Sequence, residues 1–213
     1  MACNLDNSIV YVTGHASNSI AAINVADPSS PSRVGGIIDG TNLDGAHGIV
    51  YEASGDLLFV VCFHGDALTV LSVADDAASP VVLGSVSSTS YMDGAHHVAS
   101  FPAAGLVFVT GGLSDSVCVV DVTDTSNPTV VEGLVDSTYM DVARGIAWDP
   151  AAKLLFATGR DSDSLAVMSV AGTVAKYIAP TSLPSSNPTN VPSPQPSLSL
   201  APTPSPTSWT YGK

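Results

Sequence analysis

Residues 93–124 read DGAHHVASFPAAGLVFVTGGLSDSVCVVDVTD, and each part of this stretch returns on either side of it at a nearly constant interval. Tyr11-Val12-Thr13-Gly14, Phe59-Val60-Val61-Cys62, Phe108-Val109-Thr110-Gly111 and Phe156-Ala157-Thr158-Gly159 stand 48, 49 and 48 residues apart. A second ladder keeps step, with Asn18-Ser19-Ile20, Asp66-Ala67-Leu68, Asp115-Ser116-Val117 and Asp163-Ser164-Leu165. A third comprises Asp44-Gly45-Ala46-His47, Asp93-Gly94-Ala95-His96 and the diverged Asp141-Val142-Ala143-Arg144. A period of roughly fifty residues is that of a propeller blade, a unit that buries its faces only by stacking on its neighbours.

Each unit reads as four strands. In the second, residues 47–52 run into a turn at Ala53-Ser54-Gly55, and residues 57–63 form an unbroken apolar run of the kind buried on both faces. Residues 67–74 follow, then a turn over 75–80 ending in Ser79-Pro80, then a fourth strand over 81–86. No helical period is visible in residues 1–180. The expectation is an all-β fold of antiparallel four-stranded blades of a β-propeller, about four repeats over residues 1–179. Counted from Ser8, the first unit lacks its innermost strand, because residues 1–6 are short for supplying one, which leaves fifteen strands. Three arrangements stay open: a closed four-bladed ring, a ring completed by self-association of two copies, and a fragment of a larger propeller.

Composition narrows the function classes. Nineteen acidic against six basic residues give a formal charge of −13, which excludes a nucleic-acid surface built on a Lys/Arg stripe. Seventeen of the acids are aspartate and sit mostly in turn signals, where aspartate accepts hydrogen bonds from nearby backbone. Of the three cysteines, Cys62 and Cys118 lie inside apolar strand runs and read as buried thiols; no metal-like cysteine spacing is present. No apolar run approaches transmembrane length. The start, Met1-Ala2-Cys3-Asn4-Leu5-Asp6, shows no signal peptide, so either the protein stays inside the cell or the chain lacks its true N-terminus. Residues 180–213 hold nine prolines, eight serines and five threonines, and are expected to be a disordered stalk or linker. Their bias is similar to that of O-glycosylated stalks.

The run Val117-Cys118-Val119-Val120-Asp121-Val122-Thr123-Asp124, followed by Asn127-Pro128, closely resembles the LVIVD-repeat β-propeller family. The resemblance recurs at Ile23-Asn24-Val25-Ala26-Asp27 and at Leu71-Ser72-Val73-Ala74-Asp75, and covers residues 8 to 172. It implies a propeller, often extracellular or on the cell surface, and supplies no catalytic residues.

The chemistry lies with the five histidines. His47 and His96, with His97 next to it and Arg144 in the diverged copy, start innermost strands and are expected around the mouth of the central channel. Asp44, Asp93 and Asp141 accompany them; His15, His64 and Arg160 are expected further out on the same face. The sequence supports a non-enzymatic recognition scaffold that presents this face to a protein or glycan partner, without a cofactor. Two alternatives use the same residues. His47 and His96 with a carboxylate such as Asp93 suit a divalent metal. His96 or His97 suits general acid/base work, with Arg144 holding an anionic substrate as in lactonase-like propellers.

Overall fold

The computed structural model describes residues 1–171 and 174–178 of the chain, and the compact unit runs Met1–Pro180. It is all-β, with four antiparallel four-stranded sheets. The first blade comprises β1 (Ala2–Asn4), β2 (Ile9–Gly14), β3 (Ser19–Asn24) and β4 (Ser32–Ile38); the second β5 (Ala46–Glu52), β6 (Leu57–Cys62), β7 (Ala67–Ser72) and β8 (Val81–Ser87). The third holds β9 (Ala95–Phe101), β10 (Leu106–Gly111), β11 (Ser116–Asp121) and β12 (Thr129–Val135); the fourth β13 (Ala143–Asp149), β14 (Leu154–Gly159), β15 (Ser164–Ala171) and β16 (Val174–Ile178).

The expected count of fifteen strands is corrected to sixteen among the described residues. The missing inner strand is β1, whose three residues pair with Ile9–Tyr11 and bury Ala2 and Asn4 around an exposed Cys3. A strand that short carries too few residues for a periodic signal.

Three apolar layers lie between consecutive blades. The first joins Tyr11, Ile20 and Ala22 to Leu58, Val60, Cys62 and Leu71. The second joins Phe59, Val61, Leu68 and Val70 to Val107, Val109, Cys118 and Val120. The third joins Phe108, Val117 and Val119 to Leu155, Ala157, Ala166 and Met168. Strand β6 therefore faces blade one with Leu58, Val60 and Cys62 and blade three with Phe59 and Val61, so alternation is lost because both faces are core. Burial raises the Cys62 thiol to about 11 and the Cys118 thiol to about 12, which leaves both as inert packing groups.

The second ladder closes these layers on one side. Asn18, Asp66 and Asp115 sit in the left-handed region (φ 48°, 47° and 49°). Their side chains accept from the backbone N–H of Gly45 (2.9 Å), Gly94 (3.0 Å) and Val142 (2.9 Å) in the following blade. Each turn so fixed has a positive φ at its second residue, 69° at Gly45, 62° at Gly94 and 50° at Val142, where a β-branched residue is strained.

The inner strands β1, β5, β9 and β13 stand side by side in chain order, and no strand of blade one packs on blade four as consecutive blades pack on each other. Among the described residues the blades form an arc, which removes the closed four-bladed ring. At its end Phe156, Thr158, Leu165 and Val167 occupy the repeat positions that Phe108, Thr110, Val117 and Val119 fill in blade three, yet all four keep solvent contact. The expected stalk over 180–213 lies outside the described residues.

Candidate functional site at the channel mouth

Each of β5, β9 and β13 carries a bulge near its start. The pairing register slips between Ala46 and Ile49, between the partners of Val109 and Gly111, and between Ala143 and Ile146. Two residues, His47-Gly48, His96-His97 and Arg144-Gly145, thus oppose one residue of the neighbouring strand: Val61, Thr110 and Thr158 respectively. Such a bulge re-aims side chains and frees backbone groups from the ladder. Threonine hydroxyls take up those groups. The His97 N–H donates to Thr110 Oγ1 (3.0 Å) and the Gly145 N–H to Thr158 Oγ1 (2.9 Å). Across the blade interface, Thr13 Oγ1 donates to the His47 carbonyl (2.6 Å) and Thr110 Oγ1 to the Arg144 carbonyl (2.8 Å). These threonines were not singled out from the sequence, although the Thr-Gly pairs of the first ladder mark three of the four positions.

The bulges bring His47, His96, His97 and Arg144 together. Ring centroids of His47 and His96 lie 4.0 Å apart, and those of His96 and His97 5.1 Å apart. His47 Nδ1 lies 2.9 Å from the His96 carbonyl oxygen, which can only accept, so Nδ1 carries the proton and the neutral ring keeps its lone pair on Nε2. Arg144 donates from Nη1 to His96 Nε2. The His96 proton is therefore on Nδ1, which lies 2.9 Å from His97 Nδ1 and donates to it. By the same reasoning neutral His97 is protonated on Nε2. Both nitrogens of His96 are engaged, and His47 Nε2 is the imidazole lone pair left over.

All three rings are held neutral. Burial, then the charges of His47 and Arg144, push His96 down to about 3. Burial also lowers His47 and His97. In the unfolded chain these imidazoles titrate near 6.5, so below that pH the unfolded state binds more protons than the native state, and stability falls as pH falls. We expect urea unfolding to lose about 1.4 kcal/mol per pH unit for each imidazole that stays neutral between pH 6.5 and 4, with a shallower slope in His96→Gln. Constant stability over that window would mean that the native histidines are protonated. The exposed turn aspartates act at lower pH: hydrogen bonds from neighbouring side chains and backbone N–H groups hold Asp27, Asp39 and Asp124 below 3.8, and their stabilisation is lost only as pH falls beneath that value.

Arg144 is the unusual charge. Its Nε is buried without a hydrogen-bond partner, and among the described residues no carboxylate pairs with it. Asp44 instead accepts from Asn18 Nδ2 (3.3 Å), and the backbone carbonyls of Asp44, Asp93 and Asp141 hold Gly65, Leu113 and Asp161. Among the described residues, none of these three side chains hydrogen-bonds or ion-pairs with the imidazoles or Arg144. His15 and His64 are exposed but adjacent, their rings 4.8 Å apart and His15 5.9 Å from His47. They do not share a repeat position: the backbone places Phe63, Gly112 and Arg160 in one register, one residue before His64. Arg160 is exposed and tied to Asp161 at 2.5 and 3.0 Å.

One nitrogen from each of His47, His96 and His97 lies within 4.8 Å of the others, a spacing that three ligands of one metal ion can share. An ion bound there would have to displace Arg144 from His96 and part His96 from His97. The carboxylate expected to complete the metal set, Asp93, is not in this group.

No protein-family profile and no curated protein sequence matches the chain. Solved structures of similar fold include a protein from Lactobacillus plantarum, at 17% identity over 83% of this chain and 55% of that one, with a TM-score of 0.71. The periplasmic gluconolactonase of Pseudomonas aeruginosa aligns at 16% identity over 82% of this chain and 54% of its own, with a TM-score of 0.67. A candidate 6-phosphogluconolactonase from Bacteroides uniformis aligns at 15% identity over 81% and 53%, with a TM-score of 0.65. The chain spans about half the length of these structures. The likeness establishes the β-propeller fold. The expectation of a non-enzymatic scaffold is corrected by it, because these lactonase neighbours favour the alternative, an enzymatic propeller, over the recognition reading. Among the described residues no helix is long and apolar enough to cross a membrane.

Proposed function

We propose that the channel mouth is the active site of a lactonase-like hydrolase acting on an anionic, sugar-derived lactone. The observation that carries this reading is Arg144, a partly buried guanidinium whose Nε has no hydrogen-bond partner and which makes no ion pair among the described residues. A charge left in that state is costly, and an anionic ligand offsets the cost by pairing with it. The names of the structural neighbours, a gluconolactonase and a candidate 6-phosphogluconolactonase, support the substrate class.

In the reaction, His47 Nε2 takes a proton from water as its oxygen attacks the lactone carbonyl. The tetrahedral oxyanion is stabilised by the His97 Nε2–H donor, while Arg144 pairs with the substrate's anionic group. Collapse breaks the ring C–O bond, and the leaving alkoxide recovers the proton from the His47 imidazolium. One lactone and one water give one hydroxy acid, with nothing oxidised or reduced. Because burial lowers the His47 pKa, the acid limb of kcat/KM is expected below 6.5.

The test is hydrolysis of a phosphorylated sugar lactone against its neutral counterpart, before and after dialysis against a chelator. The expected result is a preference for the charged lactone, unchanged by dialysis, that Arg144→Met reduces by more than tenfold through KM. No turnover of either lactone would overturn the reading. A divalent metal on His47, His96 and His97 is the second reading, favoured by the 4.8 Å grouping of their nitrogens, and activity lost on dialysis and restored by zinc would select it. The resemblance to LVIVD-repeat propellers and the Pro/Ser/Thr-rich composition of residues 180–213 support a location outside the cytoplasm.

A further inference from the structure

The threonine stitches between blades follow a rule with one break. A hydroxyl on the second strand of one blade donates to the bulge carbonyl of the next, as Thr13 does to His47 and Thr110 to Arg144. The His96 carbonyl is the equivalent acceptor between blades two and three. The residue that should serve it, one period from both Thr13 and Thr110, is Val61, which is fully buried and has no hydroxyl. That carbonyl is served instead by His47 Nδ1 at 2.9 Å. Gly48 makes the approach possible, since a Cβ there would stand 2.7 Å from the His96 oxygen and 3.0 Å from a Val61 methyl.

We infer that Val61 is the positioning residue of the site: by withholding a hydroxyl from the His96 carbonyl, it recruits the His47 Nδ1–H and leaves Nε2 as the free base. The role assigned to the lone pair rests on the proposed hydrolase reading, whereas the tautomer does not. A buried carbonyl takes the donor within reach, because an unmet acceptor costs about 1–3 kcal/mol. With threonine at 61 the local hydroxyl would take this acceptor, as Thr13 and Thr110 take theirs, and His47 would lose the bond that orients it. A free neutral imidazole carries its proton mainly on Nε2, so the lone pair would turn away from the substrate.

The experiment is nitrogen NMR of the full chain with 15N-labelled histidine at pH 8, with the His47 signals assigned by their loss in His47→Gln. In the unaltered protein His47 Nδ1 should be the protonated nitrogen. In Val61→Thr the proton should move to Nε2, with kcat lowered at least tenfold and KM little changed. Val61→Ala, smaller but also without a hydroxyl, should keep the Nδ1 proton. The inference is overturned if His47 is Nε2-protonated in the unaltered protein, if Val61→Thr keeps the Nδ1 proton, or if Val61→Ala moves it. A tautomer that switches as expected in a protein that hydrolyses no lactone would leave the positioning role standing and remove the hydrolase reading alone.

Discussion

Replacing His47 by alanine is expected to lower kcat/KM for ring opening of an anionic sugar lactone by about a hundred- to ten-thousand-fold, the usual contribution of a positioned general base. The expectation follows from what each nitrogen near the mouth is already doing. His96 accepts from Arg144 on one side and donates to His97 on the other, and His97 accepts on Nδ1. Only His47 has its proton anchored on a carbonyl and its second nitrogen unengaged. The substitution also strips the His96 carbonyl of its donor, which should cost about 1–3 kcal/mol of stability. Activity is therefore to be measured beside an unfolding curve, at a temperature where the variant is fully folded. Retention of more than a tenth of the activity would assign the base elsewhere, with His97 next in line.

Phe108→Ala is expected to destabilise the protein by about 3–5 kcal/mol, and Phe156→Ala by less than about 2 kcal/mol. The two residues hold the same place in the repeat, one period apart. Phe108 is fully buried between blades three and four, with its ring 5.5 Å from that of Trp148. Phe156 faces the end of the arc, where no described blade covers it, and part of its surface already meets water in the native state. Removing it deletes less buried area and leaves no enclosed cavity. Urea unfolding of both variants gives the comparison, and equal losses would mean that the face around Phe156, Leu165 and Val167 is covered in solution.

The fold was largely legible because a propeller repeats its own instructions. The unbroken apolar run 57–63 announced a strand buried on both faces, and the Asn/Asp ladder announced the turns that join such strands. What escaped was β1, three residues whose pairing depends on Ile9–Tyr11 and not on any pattern of its own. At the site, the repeat located His47, His96, His97 and Arg144 at one place, while the carboxylates beside them in sequence do not join the histidine group. Asp44, Asp93 and Asp141 stand three residues before His47, His96 and Arg144, yet the positive-φ residue after each turns the chain, and their side chains bond none of the imidazoles.

By itself, then, the sequence determined the blade, its four strands and the register in which polar residues meet at the mouth, since period and apolar alternation are local properties that each repeat states anew. Which nitrogen carries a proton was decided only by the tertiary structure. That choice depends on the bulges at His47-Gly48 and His96-His97, on a carbonyl brought across a blade interface by Gly48, and on Val61 standing where the three other blades have threonine. Hydrogen bonds between residues 48 or 49 positions apart form only once blades are stacked, and no local pattern encodes which donor reaches a buried acceptor first.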